Sequence, residues 1–266
     1  MLHSILMAAM LAAAATPSPS PAPSKTPAAQ SPCSGPAALL ATINRPTVGF
    51  STCAVVPGTA VLEEGYQVQQ SGNQSLVQYP QGFERFGVRP HLEVDAFGPM
   101  FNRLTGDGKT THGFSDAGIG AKYQLPARGA VAAAFDALYT APNGSAPFTT
   151  GSSTETIDLD LAAPISATMG AATTLSYSRN ARFASFVPAV VLTKQIAASS
   201  QLYAEYVAVS NIGNGLGGRA FLDYGFQQLI GPNVEIDVER GSTFTGDSQK
   251  SFQYFGAGFG LRIPFQ

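Results

Sequence analysis

Asp158 and Asp160 stand two residues apart, and so do Asp237 and Glu239. Carboxyls at this spacing could share acid–base work, one donating a proton while the other accepts. They could also hold a hard cation through oxygen. His112 and Ser115, in "THGFSD", offer a base and a hydroxyl nucleophile, which must reach hydrogen-bond distance to act together. "GNGLGG" at 213–218 has the glycines of a phosphate loop, but it precedes a strand pattern and opens no helix. The carboxyl pairs have a simpler source than catalysis. A strand puts every second side chain on the same face, so a polar face yields acid pairs at period two without any chemistry. No His/Cys cluster supports a metal, and none is expected; nor is any cofactor.

The elements that would position these residues follow from the same period. Twelve alternating segments cover 61–71, 75–86, 91–99, 114–125, 130–140, 155–164, 169–179, 184–195, 200–209, 218–229, 233–241 and 251–265. No segment carries a period of 3.6 with helix caps. Thr156, Asp158 and Asp160 oppose Ile157, Leu159 and Leu161; Glu235, Asp237 and Glu239 oppose Val234, Ile236 and Val238. In the last segment Phe255, Ala257, Phe259, Leu261, Ile263 and Phe265 oppose Tyr254, Gly256, Gly258, Gly260 and Arg262. Connections after even segments are short ("PARG", "ISAT", "IAAS", "IGPN"), whereas most after odd ones are long, "MFNRLTGDGKTTHG" among them. Short turns at one end and long loops at the other mark an up-and-down barrel in an outer membrane. The predicted fold class is therefore all-β: a closed up-and-down antiparallel transmembrane β-barrel of about twelve strands. A secreted sandwich also alternates, with its polar face to water.

Composition favours the barrel. Charged residues are 12% of the 266-residue chain, about half the level of ordinary soluble domains. A surface facing lipid needs few charges. The net charge of −2 and the lack of a basic run argue against nucleic acid. "ILMAAMLAAAA" has the apolar core of an export signal, so residues 1–15 are expected to be a signal peptide. Residues 16–37, dense in Pro, Ser and Ala, are expected to be a disordered linker. Residues 38–60 are expected to plug the lumen, cap the periplasmic mouth or extend the first strand, with 61–266 as the barrel. The two cysteines, Cys33 and Cys53, suit a disulfide in an exported chain; two independent thiols are the alternative.

Period two gives an inward set of Glu63, Arg85, His91, Glu93, Asp95, Asp116, Lys122, Asp136, Asp158, Asp160, Glu205, Arg219, Asp223, Glu235, Asp237, Glu239 and Arg262. Acids dominate it, and several are expected to pair with Arg85, Lys122, Arg219 and Arg262. Twelve strands enclose a backbone cylinder roughly 24 Å across, with a bore of roughly 10 Å. An acidic lining would guide solutes and favour cations, or it would be a polar network that holds the barrel's shape.

Several motifs carry a resemblance. "INRPTVGFSTCAVVPGTAVLEEGYQ", with its Asn-Arg-Pro, Pro-Gly and Leu-Glu-x-Gly-Tyr, opens it. Phe83-Glu84-Arg85-Phe86-Gly87-Val88 follows, then Leu92-Glu93-Val94, then Gly113, Asp116, Lys122 and Tyr123, and late "LDYGFQQLIGPNVEIDVERG". Patchily over 43–266, the chain resembles the outer-membrane barrel family named for the meta-pathway of phenol degradation. It departs from that family at Glu84, where the family is apolar, and at Gln266, which follows the terminal Phe265. The resemblance implies a transporter. The expected function is an outer-membrane channel for uptake of small solutes, aromatic or hydrophobic compounds among them, and not an enzyme. "THGFSD" lacks the pattern of the Ser/His phospholipases that share such barrels. The alternative is a non-conducting barrel with a structural or surface-binding role. Expected partners are outer-membrane lipid, the outer-membrane assembly machinery and the solutes themselves.

Overall fold

The computed structural model describes residues 33–35, 37–126, 130–212, 218–245 and 251–265. The expected signal peptide and most of the expected linker lie outside the described residues. One short helix, α1 (Ala38–Thr42), precedes β1 (Thr59–Ser71), β2 (Gln74–Tyr79), β3 (Phe83–Arg89), β4 (Leu92–Phe97), β5 (Phe101–Gly106), β6 (Lys109–Phe114), β7 (Gly118–Gln124) and β8 (Ala132–Thr140). There follow β9 (Thr154–Ser166), β10 (Met169–Arg179), β11 (Ala184–Ala197), β12 (Ser200–Ile212), β13 (Arg219–Leu229), β14 (Val234–Thr245) and β15 (Gln253–Pro264).

These segments form one antiparallel sheet that closes on itself. β15 pairs with β1 from Thr59↔Pro264 to Gln70↔Gln253. Closure pairs the first strand with the last, as a sheet in hydrocarbon requires; among the described residues only β6, laddered to β5 alone, keeps a free edge. The segments make twelve wall strands because three are broken. One half of β1 pairs with β2 and the other half with β3, so β2 and β3 are two parts of a single strand. β4 with β5, and β6 with β7, are broken in the same way. The interruptions fall at 80–82, 98–100 and 115–117, side by side in the sheet.

Pro80 and Pro99 explain two of these breaks, since proline has no N–H for the ladder. Beyond them, 101–114 is a hairpin and not the long loop expected there. Its turn, Asp107-Gly108, takes φ of 50° and 72°, the left-handed pair that a tight hairpin demands and that glycine adopts without strain.

The outward face is mostly apolar. Phe255, Phe259, Ile263 and Phe265 of the last segment are exposed, as are Ile157 of β9, Leu202 and Tyr206 of β12, and Ile236 and Val238 of β14. The inward face is where the polar residues are buried.

Candidate functional site

An extended stretch within 43–56 has almost no regular structure, so its backbone N–H groups need other acceptors. Strand side chains supply them. Asn44 N and Arg45 N donate to Glu63 Oε2 at 2.8 and 2.7 Å. Val48 N and Gly49 N donate to the two oxygens of Glu205, both at 2.8 Å. Phe50 N reaches Thr174 Oγ1 at 2.8 Å, Ala54 N reaches Gln124 Oε1 at 3.0 Å, and Val55 N reaches Glu93 Oε2 at 2.5 Å. In return Arg85 donates to the carbonyls of Thr42 and Cys53, and Lys122 donates to that of Ser51. Cys33 and Cys53 are bonded, with Cα atoms 5.4 Å apart. Leu39, Leu40, Ile43 and Val55 pack on Val61 and Leu229.

Charges concentrate around this stretch. Arg85 pairs with Glu93 at 2.7 Å and Glu63 at 3.1 Å, and all three side chains are wholly buried. Lys122 lies 3.4 Å from Asp136 and 4.0 Å from Glu93, with its ammonium 5.4 Å from the centre of the Phe50 ring. Glu93, Asp95 and Asp136 offer oxygens within 4.8 Å of one another, the geometry of a cation site; Lys122 and Arg85 already supply positive charge there. Asp158, Asp160, Asp223, Glu235, Asp237 and Glu239 are buried as well. Both oxygens of Asp95, Asp136 and Glu235 lack hydrogen-bond partners among the described residues. Directly opposed acids, Asp136↔Asp158 and Glu205↔Asp223, face each other across neighbouring strands.

Four residues of the expected inward set stand apart from this buried cluster, at strand ends, in a turn or in a break. His91 is exposed in the turn between β3 and β4 at φ 67°, because the strand ends before it. Arg219, the first residue of β13, keeps the inward face of Phe221 and Asp223 but is exposed at that end, its guanidinium 5.0 Å over the inward Phe252. Arg262 serves the turn at the other end, donating to Asn233 Oδ1 at 3.0 Å and Pro232 O at 2.7 Å. Neither Arg219 nor Arg262 forms an ion pair among the described residues. Asp116 sits in the third break and anchors a loop: it accepts from Gly144 N and Thr150 N, both at 2.8 Å, and from Thr150 Oγ1 at 2.7 Å.

Two features escaped the sequence reading. Arg45 supplies a third inner cation, 3.1 Å from Asp237 and 3.9 Å from Glu239. It fits because the wall beside it is glycine: a Cβ at Gly65 would fall 2.2 Å from Nη1, and one at Gly258 2.4 Å from Nε. The second feature is an inward apolar cluster of Ala189, Val207, Phe221, Phe252 and Tyr254. Phe221 shares a face with Asp223, so period two already contained that signal. Behind the three breaks a cavity of about 230 Å³ is lined by Arg45, Gln81, Phe83, Phe97, Met100 and Asp116, among others.

A closed antiparallel barrel with an apolar outer face and a polar interior is the form in which a β-sheet spans a membrane. No family model and no curated protein matches this sequence. Solved structures share the fold. The COG4313 outer membrane channel from Pseudomonas putida F1 is similar at a TM-score of 0.64 and 10% identity, over 79% of this chain and 97% of that one. The NanC porin is similar at 0.55 and 9%, over 76% and 100%. The KdgM porin in complex with disordered oligogalacturonate is similar at 0.53 and 7%, over 76% and 98%.

Proposed function

We propose that the protein is an outer-membrane channel for small solutes, aromatic or hydrophobic compounds among them. The observation that carries this reading is the pairing of a crossed bore with a broken wall. Residues 43–56 traverse the interior on hydrogen bonds to Glu63, Glu205 and Glu93, acting as a plug. Three neighbouring strands break at one height beside a cavity lined by Phe83, Phe97 and Met100. A solute stopped by the segment has a sideways path through the break into lipid, and that path suits molecules soluble in hydrocarbon. The fold shared with porins supports the channel, and the motif resemblance supports the transport of small compounds. The apolar outer face and the expected export signal support residence in the outer membrane, delivered by its assembly machinery.

A second reading is a barrel that does not conduct. The density of buried charge and hydrogen bonds around residues 43–56 favours it. Uptake of labelled 2-phenylethanol by a porin-depleted Gram-negative host, with and without the protein, separates the two, together with single-channel conductance. The channel reading expects faster uptake, and expects Gly82→Trp, which fills the break, to reverse it severalfold with the barrel still folded. Unchanged uptake in Gly82→Trp sinks the sideways path. A folded protein that gives neither uptake nor current leaves the structural reading.

A further inference from the structure

Glu63 and Glu64 are consecutive in β1, so they face opposite sides of the wall. Glu63 is fully buried inside. Glu64 faces out, opposite Phe259 of β15, midway along the outward row from Phe255 to Phe265. Glu84 of β3 stands opposite Leu62 and faces out beside it. Both carboxyls converge on Gly82: a Cβ there would lie 3.2 Å from Glu84 Oε1 and 3.3 Å from each oxygen of Glu64.

Acids at this depth on a lipid face are costly and call for a partner. The nearby cation is Arg45, which reaches the wall from inside through the glycine patch. It is already committed to Asp237 at 3.1 Å and Gln81 at 2.8 Å. One guanidinium thus serves two acids outside and two inside, and the balance is negative.

An outward cavity of about 730 Å³ opens at this point, lined by Glu64, Tyr66, Tyr79, Pro80 and Phe259 and floored by glycine. The rings of Tyr66 and Tyr79 lie 6.1 Å apart, tilted by 33°. The Glu64 carboxyl at one end, with Glu84 just outside the lining and converging on the same Gly82, aromatic faces at the sides and an apolar floor make a receptor for an organic cation.

We infer that this cavity binds a small amphipathic amine, its ammonium on Glu64 and Glu84 and its body on Tyr66, Tyr79 and Phe259. Only the amine's being a permeant rests on the channel reading; the site itself does not need conduction. An ethanolamine lipid headgroup has the same chemistry and is the competing source.

The test uses the full chain, purified in a detergent without amines, and measures binding of 2-phenylethylamine against neutral 2-phenylethanol by saturation-transfer NMR. The amine is expected to bind at least about tenfold more tightly, the lower range for a hydrogen bond to a charged group. In Glu64→Gln/Glu84→Gln that advantage should vanish while alcohol binding holds. Removing acids from a lipid face favours folding, and heat-modifiable gel mobility checks it. Competition in the unaltered protein is the second measurement: tetramethylammonium should displace the amine and leave the alcohol. Equal binding of amine and alcohol overturns the inference, as does amine binding that ignores the double substitution or the competitor. Amine binding that persists in phosphatidylglycerol nanodiscs but is lost in phosphatidylethanolamine ones assigns the site to headgroups and overturns the small-amine ligand. Binding without uptake of 2-phenylethanol in cells sinks the channel and keeps the site; uptake without selective binding does the reverse.

Discussion

Arg85→Met removes the cation that ties the wall to the stretch crossing the bore. The guanidinium makes ion pairs to Glu93 at 2.7 Å and Glu63 at 3.1 Å, and donates to the carbonyls of Thr42 and Cys53. Methionine fills the volume but leaves two buried carboxylates without it. Breaking a buried pair from one side costs about 3–5 kcal/mol. Glu63 keeps the N–H groups of Asn44 and Arg45, and Glu93 keeps Lys122 at 4.0 Å, so the lower end, about 3 kcal/mol, is the expected loss. Urea unfolding in phospholipid vesicles measures it, followed by tyrosine emission because the chain has no tryptophan. Adding Glu93→Gln should recover part of the loss, since an uncharged partner no longer lacks a cation. A loss below about 1 kcal/mol, the value of a solvent-exposed pair, would show that water reaches the cluster. The account of a charge-sealed bore would then be wrong.

Val238→Arg, on the lipid face of β14, should cost roughly 2–4 kcal/mol in the same unfolding assay. Phe259→Arg should cost less, because Glu64 stands opposite it; equal costs would mean that Glu64 carries no usable charge. Asp116→Asn replaces a charged acceptor with a neutral one for Gly144 N, Thr150 N and Thr150 Oγ1. Hydrogen exchange at the amides of Gly144 and Thr150, compared at one pH, should speed up severalfold; unchanged exchange would mean that Asp116 does not anchor the loop.

Strand faces were legible because a barrel wall has only two sides, and alternation sorts Asp158 from Leu159 without any tertiary knowledge. The breaks were not read, although Pro80 inside an expected strand and Pro99 at the end of another are the residues a ladder tolerates least. The Asp107-Gly108 turn was a local hairpin signal, obscured by the polar residues around it. Consecutive Glu63 and Glu64 required one acid to face outward, so the outer carboxyl was also legible. The acceptors for residues 44–55 were not. They depend on which distant strands come together in the bore, and nothing local to Val48 points to Glu205. Arg45 was hidden for the same reason: its place is defined by missing side chains at Gly65 and Gly258, far apart in the chain.

The groups that hold the crossing stretch are spread along nearly the whole polypeptide: Glu63 in β1, Glu93 in β4, Thr174 in β10, Glu205 in β12 and Asp237 in β14. Its full complement of acceptors therefore exists only once β14 has joined the wall. The residues synthesised early gain their full set of partners only after the last strands have been made, and those strands are also the ones that lock the beginning of the chain in place.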